Sequence, residues 1–471
     1  MSGFVSYLLL TLYTLTVVGV ILIIISENRN PLKSMPWLIV LLLAPFAGLV
    51  LYFFFGHNLS KHRSITRRMR KRLRIVPGTE TPPDPPQLPQ RFRPLGRLLT
   101  AAHALPRYGT RFECYADGRS KMSALLQAVA AARRHIHLQY YIIDDDRTGN
   151  RLREALIRKA REGVKVRILY DDVGSRSVRK AFFESMRAEG IEVRPFLHVQ
   201  FPRFTSKVNY RNHRKIAVID GCVGFIGGMN IADRYLYGTE RLGPWRDTHF
   251  RLEGGGVAGL QAAFLNDWYA TTRERLASAE YYPACGCDAP NILHILPSGP
   301  FGKWRSLLQA VCLAVSRAQQ RIWIETPYYL PSDTLNNALQ TAALSGIDVR
   351  LMMPLHSDSK IVDLAAHSYI DDMLRAGVKV YFYTAGFLHA KQLLIDDELA
   401  VIGSANMDFR SFEHNFEINA FVCDRPLVAQ LARLFERDMA QSHALGKAEW
   451  FHRSRLRRLS ESILRLFSPL L

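Results

Sequence analysis

Two short segments bring together side chains that can do phosphoryl chemistry. His213, Lys215 and Asp220 form His-x-Lys-x4-Asp, followed by Gly227, Gly228 and Asn230; His389, Lys391 and Asp396 repeat the pattern, followed by Gly403, Ser404 and Asn406. One such match is weak, whereas two with the same downstream Gly and Asn are not a chance pairing. The strand period of two puts His213 and Lys215 on one face, and His389 and Lys391 likewise. A lysine turned inward beside "IAVI" or "LLI" is costly unless an anion joins it. Two imidazoles and two ammoniums suit phosphodiester exchange: one His attacks phosphorus, and the other protonates the departing alcohol and deprotonates the incoming one. Lys215 and Lys391, with Asn230 and Asn406, would stabilise charge on the equatorial oxygens.

The two histidines must start in different protonation states although both titrate near the same pH, so neighbours must split them. Asp247, in "GPWRDTHFRLEG", and Glu417, in "EHNFEINAF", are the candidates. Each can accept a hydrogen bond from an imidazole nitrogen and fix its tautomer; the alternative is an ordinary surface carboxylate. Asp220 and Asp396 complete the motifs, and they end their strands, where they can instead brace the turn into the Gly pair. This chemistry calls for no metal and no nucleotide cofactor. The chain has no Walker-type phosphate loop, and Cys285 and Cys287 lack the second pair of a zinc site.

Elements that carry such motifs twice must themselves be duplicated. "HIHLQYYI" from His135 is echoed by "RIWIETPYYL" from Arg321, and "GVKVRILY" from Gly163 by "GIDVRLMM" from Gly346. "GIEVRPF" from Gly190 is echoed by "GVKVYFY" from Gly377. Apolar β-rich runs alternate with helical stretches such as "RLREALIRKAREG" and "TLNNALQTAALSG", the pattern of βαβ units in a largely parallel sheet. Two α/β layers facing across a pseudo-twofold axis would bring the repeated residues to one site. The first half carries extra residues at 196–210, expected as a loop over that site. Tyr140, Tyr141, Tyr328 and Tyr329 stand near strand ends, where they pack in the core or line a channel.

The rest of the chain points to a membrane. Of 471 residues 48% are hydrophobic and 22% charged, which excludes a disordered chain, and 62 Lys+Arg against 42 Asp+Glu leave +20. Residues 4–25 and 36–55 are long uncharged runs, each able to cross a bilayer core of about 30 Å as a helix. No basic segment precedes the first run and a second follows at once, against a cleaved signal peptide. The basic cluster at 61–74 places the following body in the cytoplasm and suits anionic headgroups. Pro77 to Pro94 read as an extended linker that is neither helix nor central strand. In a cytoplasmic body the six cysteines are expected to be reduced. Near the end, Leu456, Leu459, Ile463, Phe467 and Leu470 recur at helical spacing with Arg453, Arg457, Arg458 and Arg465 as a cationic rim, so this tail either lies on an anionic leaflet or packs on the body.

With both motifs in place, the chain resembles the phospholipase D superfamily, marked by a duplicated HKD motif, and within it the bacterial cardiolipin synthases. The likeness extends to "NYRNHRKIAVIDGCVGFIGGMNIADRY", "GSANMDFRSFEHNFEINAF", the N-terminal apolar pair and the closing "LFSPLL". It implies two tandem phospholipase D-like α/β domains related by pseudo-twofold symmetry, behind an N-terminal transmembrane hairpin. The implied layout is hairpin 1–60, basic Pro-rich linker 61–107, repeats 108–290 and 291–445, and basic amphipathic tail 446–471. It also implies a phosphohistidine on His213, general acid/base work by His389, and support of the histidines by Asp247 and Glu417 across the axis. Gly228 stands where the second motif has Ser404, so only Ser404 can offer the phosphate a hydroxyl. The implied reaction transfers a phosphatidyl group from one phosphatidylglycerol to another, giving cardiolipin and glycerol at the bacterial inner membrane. A membrane-bound phospholipase D, which admits water or another alcohol, is the alternative. A nuclease needs no hairpin, and a silent scaffold would carry decayed motifs; no nucleic-acid partner is expected.

Overall fold

The computed structural model describes residues 2–26, 31–52, 85–198, 209–302 and 304–468. The chain divides into two compact units, one holding the N-terminal helices and the other both large sheets. In the first, Ser2–Ser26 is a 25-residue helix without a charged side chain. The second apolar run is two helices rather than one, Pro31–Leu43 and Pro45–Leu51. Pro45 lacks the N–H that would continue the first helix, and its ring crowds the carbonyl one turn back, so the break falls there. Among the described residues no helix is long and apolar enough to cross a membrane, so the expected pair of spans is not shown. The basic cluster at 61–74 and the prolines from 77 to 83 lie outside the described residues, as do positions 199–208 of the expected loop.

The second unit contains two sheets of matching order. The first runs Thr110–Tyr115, His249–Gly254, Val223–Gly227, Ile216–Ile219, His135–Tyr140, Lys165–Asp171, Glu192–Phe196. The second runs Ile292–Ser298, Glu417–Cys423, Leu399–Gly403, Gln392–Ile395, Arg321–Glu325, Asp348–Pro354, Lys379–Tyr383, with Pro106–Tyr108 and Ser442–Ala444 added at its edges. Neither sheet is largely parallel: only His135–Tyr140, Lys165–Asp171 and Glu192–Phe196 in the first, and Arg321–Glu325, Asp348–Pro354 and Lys379–Tyr383 in the second, run parallel, and the other neighbours pair antiparallel. The short turn after each motif forces this, because a strand that returns within a few residues can only pair antiparallel. Asp220 and Asp396 sit in that turn at φ 54° and 50°, a left-handed conformation that Asp tolerates better than most residues.

The largest buried clusters among the described residues fill the layers. Leu125, Ile136, Leu152, Ile168 and Phe225 belong to the first half, and Ile322, Leu339, Leu351, Ile370 and Leu393 to the second. The third joins the halves: Ile216, Val218, Phe250 and Leu260 pack with Ile295, Leu394, Ile402, Ile418 and Phe435. Both faces of the strand Ile216–Ile219 are therefore covered, which is why "IAVI" is continuously apolar.

The linker ends earlier than expected. Pro94 occupies the first turn of the helix Arg93–Ala101, where its missing N–H costs nothing, and Phe92, Leu95 and Leu99 are buried in the second-half core. The tail packs too, with Trp450 in that same core. Its arginines do not form a free rim: Arg453 and Arg458 reach Asp371, and Arg465 reaches Asp372. Cys222 and Cys285 form a disulfide with Cα atoms 5.5 Å apart, against the expectation of six free thiols, while Cys114, Cys287, Cys312 and Cys423 are free.

Candidate active site

The backbone first sets the two motifs in phase with each other. The His213 N–H donates to the Phe416 carbonyl at 2.9 Å, and the His389 N–H to the Arg246 carbonyl at 2.7 Å. Phe416 and Arg246 immediately precede Glu417 and Asp247. Each histidine is thus tied, through its own main chain, to the segment of the other half that carries a carboxylate. Side chains follow: His213 Nδ1 lies 3.0 and 3.1 Å from the Glu417 oxygens, and His389 Nδ1 lies 2.7 Å from Asp247 Oδ2. With Nδ1 engaged, Nε2 of each ring is the nitrogen left for chemistry.

The lysines stand beside the imidazoles, in the extended segments that lead into the strands Ile216–Ile219 and Gln392–Ile395. Lys215 Nζ donates to the His213 carbonyl at 2.6 Å; Lys391 Nζ donates to the His389 carbonyl and lies 3.0 Å from His389 Nδ1. Both are buried, and burial lowers Lys215 to about 7 and Lys391 to about 8. Burial likewise lowers His389 to about 4, aided by the positive charge of Lys391 and opposed by Asp247. His213 is lowered by burial against the pull of Glu417. Burial would raise Glu417, but the charge and hydrogen bond of His213, with Lys215 and Ser404, hold it at about 2. Asp247 is also held low, with Lys391 and His389 outweighing its burial. The result is two anchored anions and a set of cations whose charge is poorly solvated, a place suited to receive a further anion.

The other motif residues have different surroundings from those expected. Asp220 accepts hydrogen bonds from the amides of Arg133, Arg134 and His135 at 2.8–2.9 Å, and Asp396 from those of Gln319, Gln320 and Arg321 at 2.8–3.1 Å. These two carboxylates brace the turn against the start of the neighbouring strand, which is the second of the two places the sequence offers them. Ser404 Oγ donates to Glu417 Oε2 at 2.5 Å and accepts from the Ile418 N–H, so its hydroxyl supports the carboxylate. In the first half no hydroxyl can stand there, because a Cβ on Gly228 would collide with Asp247. Asn230 accepts from Ile142 N–H and donates to Tyr235 Oη; Asn406 donates to Asp408. Tyr140 and Tyr329 are core residues, while the Tyr141 ring stands edge-on to His213 with centroids 5.1 Å apart.

Several buried charges around the site were not anticipated. Arg246 binds Asp438 at 2.6–2.7 Å and donates to the Asp247 carbonyl at 2.8 Å; Arg214 pairs with Asp267 and donates to the Glu417 carbonyl at 3.0 Å. One guanidinium therefore fixes the backbone of each supporting carboxylate. Their signal was present in the helices: Leu260, Phe264 and Asp267, and Leu431, Phe435 and Asp438, place an acid where the apolar stripe should continue. Lys121, 1% exposed, meets no hydrogen-bond partner among the described residues and lies 4.8 Å from the Tyr140 ring centroid. Burial lowers it to about 7, while the charge of Asp247 acts the other way. Among the described residues no cluster of His, Cys, Asp or Glu is arranged to hold a metal ion.

Comparison with known proteins agrees with this architecture. Residues 125–241 and 311–439 match the family described as cardiolipin synthase, PLD-like domain, and residues 14–57 match phospholipase D-nuclease N-terminal. The chain is 40% identical over 457 residues to cardiolipin synthase 2 of Bacillus cereus, covering 95% of this chain and 89% of that protein. It is 38% identical to the major cardiolipin synthase ClsA of Bacillus subtilis, covering 99% of both chains. The fold resembles that of a phosphatidylserine synthase from Haemophilus influenzae, with a TM-score of 0.61 at 16% identity over 80% of this chain and 97% of that one. The chain therefore belongs to the cardiolipin synthases of the phospholipase D superfamily.

Proposed function

We propose that the protein makes cardiolipin by moving a phosphatidyl group from one phosphatidylglycerol to another through a covalent phosphohistidine. The observation that carries this reading is the crossed pairing of each imidazole Nδ1 with a carboxylate of the other half, His213 with Glu417 and His389 with Asp247. In the first step His213 Nε2 bonds to phosphorus, the bond to the headgroup glycerol breaks, and His389 Nε2 gives that oxygen its proton. In the second, neutral His389 takes the proton from a hydroxyl of the second phosphatidylglycerol, its oxygen bonds to phosphorus, and the P–N bond breaks. One phosphodiester replaces another, so no nucleotide is consumed. Lys215 and Lys391 carry the charge that builds on the equatorial oxygens. The same phosphate supplies His389 with its proton affinity: burial first, and the charges of Lys391 and Lys215 second, depress its pKa, and a bound anion acts against both.

The body works at the bacterial inner membrane. The uncharged helix Ser2–Ser26, with the apolar helices after it, supports a membrane hairpin, and the basic cluster at 61–74 supports a cytoplasmic body. The Cys222–Cys285 disulfide favours an oxidising compartment instead.

The test is purified protein with phosphatidylglycerol vesicles, free of nucleotide and divalent metal. Cardiolipin and glycerol in equal amounts, lost in His213→Ala and His389→Ala, support the synthase. Phosphatidic acid would mean that water is the acceptor and the protein is a phospholipase D. Conversion that survives both substitutions would remove the two-histidine mechanism.

A further inference from the structure

The helix Arg455–Arg465 is docked with its polar face inward. Glu461 is 1% exposed and is held by Arg453 at 2.8 Å and Arg457 at 3.2 Å. Arg453 also reaches Asp371 at 3.0 Å, and Arg458 and Arg465 reach Asp371 and Asp372 at 3.5 Å, all on the helix Lys360–Ala376. On the opposite side stand Leu456, Leu459, Ile463, Leu466 and Phe467, 78%, 57%, 49%, 78% and 48% exposed. Their spacing places them in one stripe, diametrically across the helix from Glu461. A helix that needed the body to shelter its leucines would sit the other way round. Here the ion pairs hold the helix down and leave the stripe outward.

Charge chooses the occupant. Four arginines, Arg453, Arg457, Arg458 and Arg465, pair with three carboxylates, Asp371, Asp372 and Glu461, and Arg455 opens the same helix, so the ground beside the stripe is positive. A second copy of the chain would bring the same positive charge to the same patch and be repelled. An apolar stripe flanked by cations fits the boundary between headgroups and acyl chains of an anionic bilayer.

We propose that residues 455–467 form a docking surface for an anionic phospholipid bilayer, lying in the plane of the interface with Leu456, Leu459, Ile463, Leu466 and Phe467 inserted. This rests on the synthase reading only for the choice of lipid. The experiment places a tryptophan at Leu459→Trp, and as a control at the exposed Ala448→Trp outside the stripe, in full-length protein reconstituted into phosphatidylcholine vesicles containing phosphatidylglycerol, with and without acyl-chain bromination. The emission added at 459 is expected to shift to the blue and to be lost with brominated lipid, while that at 448 persists. Emission at 459 that brominated lipid leaves intact would overturn the proposal. So would a blue shift already present in detergent together with a dimer, which would assign the stripe to a second copy. Quenching requires no turnover, so cardiolipin formation measured in the same vesicles separates a failure here from a failure of the catalytic reading.

Discussion

His213 Nδ1 and the Glu417 carboxylate, 204 residues apart in sequence, meet at 3.0 and 3.1 Å, and Ser404 Oγ clamps the second oxygen of Glu417 at 2.5 Å. The buried carboxylate orients the ring and stabilises the positive charge that develops on it. Glu417→Gln is expected to lower kcat by about 10²–10⁴ with little change in thermal stability, and Asp247→Asn by a similar factor. Ser404→Ala, which removes one hydrogen bond to the carboxylate, should cost about 3–10-fold. Steady-state kinetics on phosphatidylglycerol, beside melting curves, check all three.

The lysines give activity and stability opposite pH dependences. Lys215 and Lys391, lowered by burial to about 7 and about 8, lose their protons as the pH rises through that range, and with them the charge that receives the phosphate. kcat/KM is therefore expected to fall on the alkaline side between those values. Stability moves the other way. Their pKa values are lower folded than unfolded, so the unfolded chain binds more protons above pH 7, and raising the pH from 7 toward 10 relieves the cost of burying charge. A melting temperature that falls together with kcat/KM over this interval would count against the assignment.

Lys121 is a buried ammonium without a hydrogen-bond partner among the described residues, beside the anion that orients His389. Lys121→Met should raise stability by about 1 kcal/mol or more, since the stem is kept and the desolvated charge is removed. It should also lower kcat several-fold, because Asp247 loses a neighbouring cation. Measuring both on one preparation separates this role from simple packing, for which the two changes would share a sign.

Asp220 and Asp396 should behave as structural residues. Each accepts three main-chain hydrogen bonds in a left-handed turn, so Asp220→Ala is expected to lower stability by about 2–4 kcal/mol. Asp220→Asn, which tolerates the same φ, should cost less. The folded fraction of either variant should keep kcat within about tenfold of the parent, unlike His213→Ala.

Sidedness can be read from thiols. A body in the cytoplasm should yield six titratable cysteines when cells are lysed under acid trapping, whereas an oxidising compartment preserves Cys222–Cys285 and leaves four.

The duplication makes much of this site legible in the sequence. His213, Lys215, His389 and Lys391 stand out from the repeat alone, since all four lie just ahead of the strands Ile216–Ile219 and Gln392–Ile395 rather than within them. What the spacing did not reveal is set by long-range register. The antiparallel half of each sheet depends on turns whose partners lie elsewhere in the chain. The bracing role of Asp220 and Asp396 depends on amides some 75–87 positions away. Arg214 and Arg246 read as ordinary charges until Asp267 and Asp438 are seen on apolar helix faces. Pro94 looks like a linker residue in the sequence, yet a proline that breaks a helix interior is welcome in the first turn of Arg93–Ala101.

The most direct test of the central claim is to locate the covalent intermediate. Wild-type enzyme turning over phosphatidylglycerol, quenched in alkali to preserve the P–N bond and analysed by mass spectrometry, should carry a phosphatidyl group on His213. His213→Ala should carry none. An adduct on His389, or none on the wild-type enzyme during active turnover, would contradict the account.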